Sequence, residues 1–123
     1  MRITIKAKNL ELTEELQNFI EEKIGSLKKF VKILKEERGE GKTLAEAFVE
    51  VEKETRHHKK GKIFKAEAQI SLPGKILMAQ ARGEDLPGIV VKLKDALQQE
   101  IKKYKLKNKE LNIRKQRKEL KEN

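Results

Sequence analysis

The stretch GEDLPGIVVKLKDALQQEIKKYK, residues 83–105, decides how the rest of the chain is read. Ile89, Leu93, Leu97 and Tyr104 recur at helical spacing and share one face, while Lys92, Lys94, Lys102, Lys103 and Lys105 lie off it. Asp85 is placed to cap this helix, and Pro87 is tolerated in its first turn, where no N–H is needed. Such a helix offers one side to a core and its other sides to a polyanion.

Working outward, Phe64, Ala66, Ala68, Ile70 and Leu72 alternate with Lys65, Glu67, Gln69 and Ser71, the pattern of a half-buried strand. Pro73-Gly74 signals a tight turn and Ile76 to Arg82 is again strand-like, so Lys62 to Arg82 reads as a β-hairpin. At the other end of the chain, Ile3, Ile5 and Ala7 alternate with Arg2, Thr4, Lys6 and Lys8 as a first strand. Thr13 then caps a helix with the stripe Leu16, Phe19, Ile20, Ile24, Leu27, Val31 and Leu34, in which Gly25 is a weak point.

Glu36 to Lys42 has no apolar period and reads as a surface loop. The next segment is ambiguous. Thr43 to Glu46 has capping-box form, and Leu44, Phe48 and Val51 fit a helix, whereas Ala47, Val49 and Val51 against Glu50, Glu52 and Glu54 fit a strand. From Leu106 onward the apolar face fades, which predicts a frayed helix or a disordered arm. The expected division is therefore an α/β domain over 1–105 and a basic tail over 106–123. The order β-α-β-β-β-α predicts an α+β fold, a four-stranded sheet with two helices packed on one face.

A net charge of +10 over 123 residues, with a pI of about 9.7, exceeds what solubility requires and points to a polyanionic partner. Without cysteine there can be no disulfide, thiolate metal site or cysteine nucleophile. The alternating N-terminus is unlike a signal peptide and no apolar run reaches membrane-spanning length, so a cytoplasmic protein without a membrane partner is expected.

Gly41-Lys42-Thr43 ends like a phosphate-binding loop, but Glu36 stands where that motif needs its first glycine, and a helix precedes it rather than a strand. His57 and His58 are adjacent and surrounded by lysine, a poor arrangement for a metal. No spacing brings a nucleophile, a base and an orienting acid together. The expectation is thus no enzyme, no cofactor, no metal and no small-molecule substrate. Basic residues need only a coherent face to bind phosphates. Phe19, Phe30, Phe48, Phe64 and Tyr104 sit mostly at core-like positions, which favours recognition of structured RNA over base stacking.

Ile3-Thr4-Ile5-Lys6 through Asn9-Leu10-Glu11-Leu12-Thr13-Glu14-Glu15-Leu16, followed by Glu22 to Phe30, resembles the start of the bacterial ribosome hibernation-promoting factor and ribosome-associated inhibitor family. Ile70-Ser71-Leu72-Pro73-Gly74, Gly83-Glu84-Asp85-Leu86 and Lys103-Tyr104-Lys105 fall in the matching places, so the resemblance covers roughly residues 1 to 107 in order. It implies a fold similar to double-stranded-RNA-binding domains, with Ala47 to Glu54 as a strand. It also implies a stress-response translation inhibitor that binds the small ribosomal subunit and its rRNA in the path of messenger and transfer RNA. Ending at Asn123, the chain resembles a short form, expected to be a monomer away from the ribosome.

The residues expected to contact RNA are Lys28, Arg56, His57, Lys59, Lys60, Arg82, Lys92, Lys102, Lys103 and Lys105. Three departures matter. Positions 92, 96, 99 and 103 share one helical flank, where the family usually carries more cations, and here Ala96 and Gln99 interrupt it. Pro87 replaces the usual tyrosine, and the Glu36 to Lys42 loop is longer than the family's equivalent.

Overall fold

A computed structural model describes residues 1–37, 45–54, 62–72 and 74–122. The elements are β1 (Arg2–Lys8), α1 (Glu14–Gly25), α2 (Lys28–Glu37), β2 (Glu46–Glu54), β3 (Ile63–Leu72), β4 (Lys75–Gly83) and α3 (Leu86–Glu122). The strands form one sheet in the order β1-β2-β3-β4, with β1 parallel to β2 and the other neighbours antiparallel. The ambiguous segment is therefore a strand. Ala47, Val49 and Val51 are buried while Phe48 and Glu50 are exposed, so the two-residue period won over the helical one.

The register explains how the helices seat. On the covered face, Ile3, Ala47, Ile70 and Leu77 form one cross-strand row, Ile5, Val49, Ala68 and Ala79 the next, and Ala7, Val51, Ala66 and Ala81 the third. Alanines thus floor β3 and β4, the strands on which α3 rests. A floor of small side chains lets the helix approach closely, and the helix supplies the bulk with Ile89, Val90, Leu93, Leu97 and Ile101, all buried. The approach is closest at Gly83, where a Cβ would stand 2.9 Å from Ile89 Cγ2. Only a residue without that atom fits unperturbed.

The first helix is not single, contrary to the apolar stripe's prediction. It breaks after Gly25, because Ser26 Oγ donates to the Lys23 carbonyl at 2.6 Å and the Leu27 N–H reaches Ile24 O at 3.0 Å, one residue short of the α-helical partner. Helix resumes at Lys28. The stripe nevertheless survives the break, since Ile20, Ile24, Leu27 and Val31 are all buried. Thr13 caps α1 as expected, its Oγ1 accepting from Leu16 N at 3.1 Å, with Glu14 and Glu15 in the positive first turn.

The hairpin turn places Gly74 at φ +74°, a left-handed conformation that glycine adopts without strain; Pro73 lies outside the described residues. Of the Glu36 to Lys42 stretch, Glu36 and Glu37 belong to α2 rather than to a loop, and the remainder also lies outside the described residues.

The last helix does not stop near Lys105 but continues to Glu122. No glycine or proline follows Gly88, and lysine, glutamate, leucine, glutamine and arginine are all good helix formers, so propensity extends the helix where apolar periodicity does not. Among the residues whose burial is described, the last against the core are Ile101 and the partly buried Tyr104, and Leu106 is exposed. At 1.5 Å per residue, the helix runs on for about 25 Å past Lys105.

Candidate nucleic-acid interface

The covered side of the sheet is a layer of three helices, α1 and α2 lying against α3. Its charges are unevenly divided. The exposed face of α1 carries Glu14, Glu15, Glu21 and Glu22, with Lys23 alone among cations. On α2 the exposed residues include Lys28, Lys29 and Lys32 and no acid up to Ile33. The basic surface therefore begins at α2, not on both helices of the crossover.

On α3, Asp85 fixes the N-terminus, its Oδ2 accepting from Gly88 N at 3.2 Å and its carbonyl from Ile89 N at 3.0 Å. That fixes the rotation of every side chain that follows. With Leu93 and Leu97 buried, the 3.6-residue turn puts Lys92 and Lys103 on one flank, Lys94 and Lys105 on the other, and Lys102 on the ridge opposite the core. The cations wrap the helix instead of forming a single stripe. Half-buried Ala96 and exposed Gln99 lie between Lys92 and Lys103 on their flank.

These charges are unevenly paired among the described residues. Lys28, Lys92 and Lys102 make no ion pair with any described residue, and Lys103 reaches Glu100 at 3.5 Å one turn away. Lys94 meets Asp95 at 3.4 Å. Unpaired ammonium groups on a rigid helix are free to exchange counterions for phosphates, whereas a paired one must first give up its partner. Past Lys105, the helix carries Lys107, Lys109, Arg114, Lys115, Arg117, Lys118 and Lys121 against Glu110, Glu119 and Glu122.

Of the residues expected from sequence to contact RNA, Lys28, Lys92, Lys102, Lys103 and Lys105 share the helical layer and are exposed. Arg82 does not join them. It projects from β4 on the opposite face of the sheet, where its guanidinium binds the Glu54 carboxylate, with Nε 3.0 Å from Oε1. That hydrogen bond, reinforced by the charge of Glu54, raises the Arg82 pKa above its ordinary value. Arg56, His57, Lys59 and Lys60 lie outside the described residues.

The aromatic residues divide differently from their core-like spacing. Phe19, Phe30, Phe64 and Tyr104 pack partly buried against the core, but Phe48 is 40% exposed on the face of the sheet away from the helices. Its alternation with Ala47 and Val49 carried that information. Three of the packed rings also face lysines, Lys23 over Phe19 at 5.5 Å, Lys29 over Phe30 at 5.2 Å and Lys75 over Tyr104 at 6.0 Å. Among the described residues there is no group of three His, Cys, Asp or Glu that could hold a metal, and no helix is long and apolar enough to cross a membrane.

With this arrangement in view, residues 3–109 match the model of the family described as sigma 54 modulation protein / S30EA ribosomal protein. The chain belongs to this family. Among solved structures, its fold is shared with the N-terminal domain of Protein Y from Thermus thermophilus, at 22% identity and a TM-score of 0.63, covering 85% of this chain and 99% of that one. A ribosomal subunit interface protein from Coxiella burnetii is similar at 20% identity and a TM-score of 0.62, covering 86% and 99%. Among curated proteins no relative matches the chain. The S30EA match spans the sheet from Ile3 onward and α3 as far as its fourth residue past Lys105, so it includes Lys28, Lys29 and Lys32 of α2 and Lys92, Lys102, Lys103 and Lys105 of α3.

Proposed function

We propose that this protein is a ribosome hibernation factor that binds the small ribosomal subunit in the path of messenger and transfer RNA and inhibits translation by occupying it. The observation that carries this reading is the coincidence of the family match over residues 3–109 with exposed cations on α2 and α3, of which Lys28, Lys92 and Lys102 have no ion pair with any described residue. One solved neighbour is a ribosomal subunit interface protein, which agrees with it. The chemistry is electrostatic: ammonium groups on a preformed helix displace condensed counterions from rRNA phosphates, and the helix spacing matches shape rather than base sequence.

In this reading Lys28, Lys92, Lys102, Lys103 and Lys105 are the contacting cations, and the strongly basic connection containing Arg56, His57, Lys59 and Lys60 adds others. The extension of α3 beyond Lys105 forms a second functional unit that compensates for the cations replaced by Ala96 and Gln99. Removing residues 106–123 should then weaken subunit binding without unfolding the domain. No chemical step is required of the protein, which acts by occlusion in the cytoplasm as a monomer.

Sedimentation with purified small subunits, set against an equal mass of unrelated structured RNA, tests this reading. Stoichiometric retention on the subunit alone at physiological salt is expected. Equal retention on either RNA, lost together as salt rises, would leave only a general RNA-binding module.

A further inference from the structure

Most cations on the sheet point away from the helices. Arg2, Lys6 and Lys8 on β1, Lys65 on β3 and Arg82 on β4 alternate out of phase with the core-facing residues of their strands. Lys75 does not. As the first residue of β4 it shares the parity of Leu77, Ala79 and Ala81, so its side chain leaves the sheet on the side that the helices cover. It stands opposite Leu72 at the end of the β3–β4 ladder, next to Gly74, where the hairpin turns.

Two observations tie Lys75 to the cations of α3. Its Nζ lies 6.0 Å from the ring centroid of Tyr104, which Lys102 and Lys103 precede and Lys105 follows. The hairpin end therefore meets α3 where that helix runs out of core beneath it. In addition, Lys75 is exposed and has no ion pair with any described residue. A ring differs from a carboxylate as a seat for an ammonium group. The carboxylate cancels the charge, whereas the ring attracts it through its quadrupole and leaves the positive charge available to a phosphate. Holding the lysine over the ring also removes beforehand part of the rotamer freedom that a long side chain loses on binding.

We propose that Lys75 is a further phosphate-binding residue of the rRNA site, positioned by the ring of Tyr104. The inference rests on the ribosome reading above and adds the hairpin end to α2 and α3 as a third element of that site. Lysines along one helix can follow many phosphate chains, but a cation offset from the helix by the sheet beneath it restricts the phosphate arrangements that fit.

The test is filter binding of the full chain to purified small subunits between ~0.05 and ~0.3 M salt. Lys75→Gln should lower the slope of log affinity against log salt by roughly 0.8 and weaken binding about fivefold at ~0.15 M, whereas Lys6→Gln, at an exposed position on the opposite face, should change neither. Tyr104→Leu keeps every charge, so its slope should equal that of the unaltered chain while affinity falls about threefold. Lys75→Gln combined with Tyr104→Leu should then bind no more weakly than Lys75→Gln alone, and additive losses would overturn the positioning role of Tyr104. Thermal melts confirm folding, and Tyr104→Met replaces Tyr104→Leu if that variant unfolds. If Lys75→Gln leaves the slope unchanged, or Lys6→Gln lowers it equally, the assignment of Lys75 is overturned; a lowered slope for Lys92→Gln, measured alongside, shows that the ribosome reading survives it. Failure of the unaltered chain to bind the subunits sinks the ribosome reading and this inference with it.

Discussion

Replacing Lys92 and Lys102 together by glutamine should reduce both the affinity for small ribosomal subunits and its dependence on salt. Both ammonium groups are exposed and unpaired with any described residue, so each is counted as one phosphate contact with no internal partner to release. Each phosphate contact contributes a slope of roughly 0.7 to 0.9 to the plot of log affinity against log salt, and losing two lowers it by about 1.6. The affinity loss then depends on salt, about 100-fold at ~0.05 M, about 20-fold at ~0.15 M and about 7-fold at ~0.3 M. Filter binding to purified subunits over that range measures it, with thermal melts to confirm folding. Arg82→Gln is the control, because Arg82 lies on the other face and is held by Glu54; its slope should equal that of the unaltered chain. Coincident slopes for the double variant and the unaltered chain, or an equal drop in the Arg82 variant, would refute the assignment of the helical layer as the phosphate-binding side.

Further predictions concern the scaffold that holds those lysines. Leu97→Ala, at a fully buried position, should cost about 3 kcal/mol and lower the melting temperature by roughly 12 °C, whereas Leu106→Ala, beyond the core, should change stability by less than about 0.5 kcal/mol. Gly83→Val forces a Cβ against Ile89 and should cost about 1 to 3 kcal/mol in urea unfolding. Gly25→Ala meets only Ile3 Cδ1 at an ordinary 3.8 Å and should be neutral or stabilising by about 0.5 kcal/mol. Asp85→Ala removes the cap on α3 and should lower stability by about 1 kcal/mol by the same measurement.

Local patterns in the sequence revealed local structure and failed where distant contacts decide. The alternation in Arg2 to Lys8 and in Phe64 to Leu72 predicted β1 and most of β3, and Thr13 and Asp85 predicted the caps of α1 and α3. Residues 43–54 satisfied two periods at once; β2 became a strand through pairing with β1 and β3, partners remote in sequence. The break between α1 and α2 turns on one hydroxyl, Ser26, competing for the Lys23 carbonyl, which an apolar stripe cannot register. Past Lys105 the fading apolar face left a frayed helix and a disordered arm both open, and helix propensity favours the first, the helix running on to Glu122.

The candidate site was legible to a similar degree. Spacing alone put Lys92, Lys102, Lys103 and Lys105 off the core face of α3. The parity of the strand residues already separated Arg82 and Phe48 from the helical side, but the pairing of Arg82 with Glu54 requires the register of β2, β3 and β4. The acidic character of α1, plain in Glu14, Glu15, Glu21 and Glu22, leaves α2 and α3 as the basic helices among the described residues.

The most direct test of the central claim is competition with transfer RNA on purified small subunits carrying a messenger. At physiological salt and saturating protein, the account predicts that bound transfer RNA is released as the protein occupies the subunit with a stoichiometry of one. Retention of transfer RNA and protein together on the same subunits would contradict inhibition by occlusion.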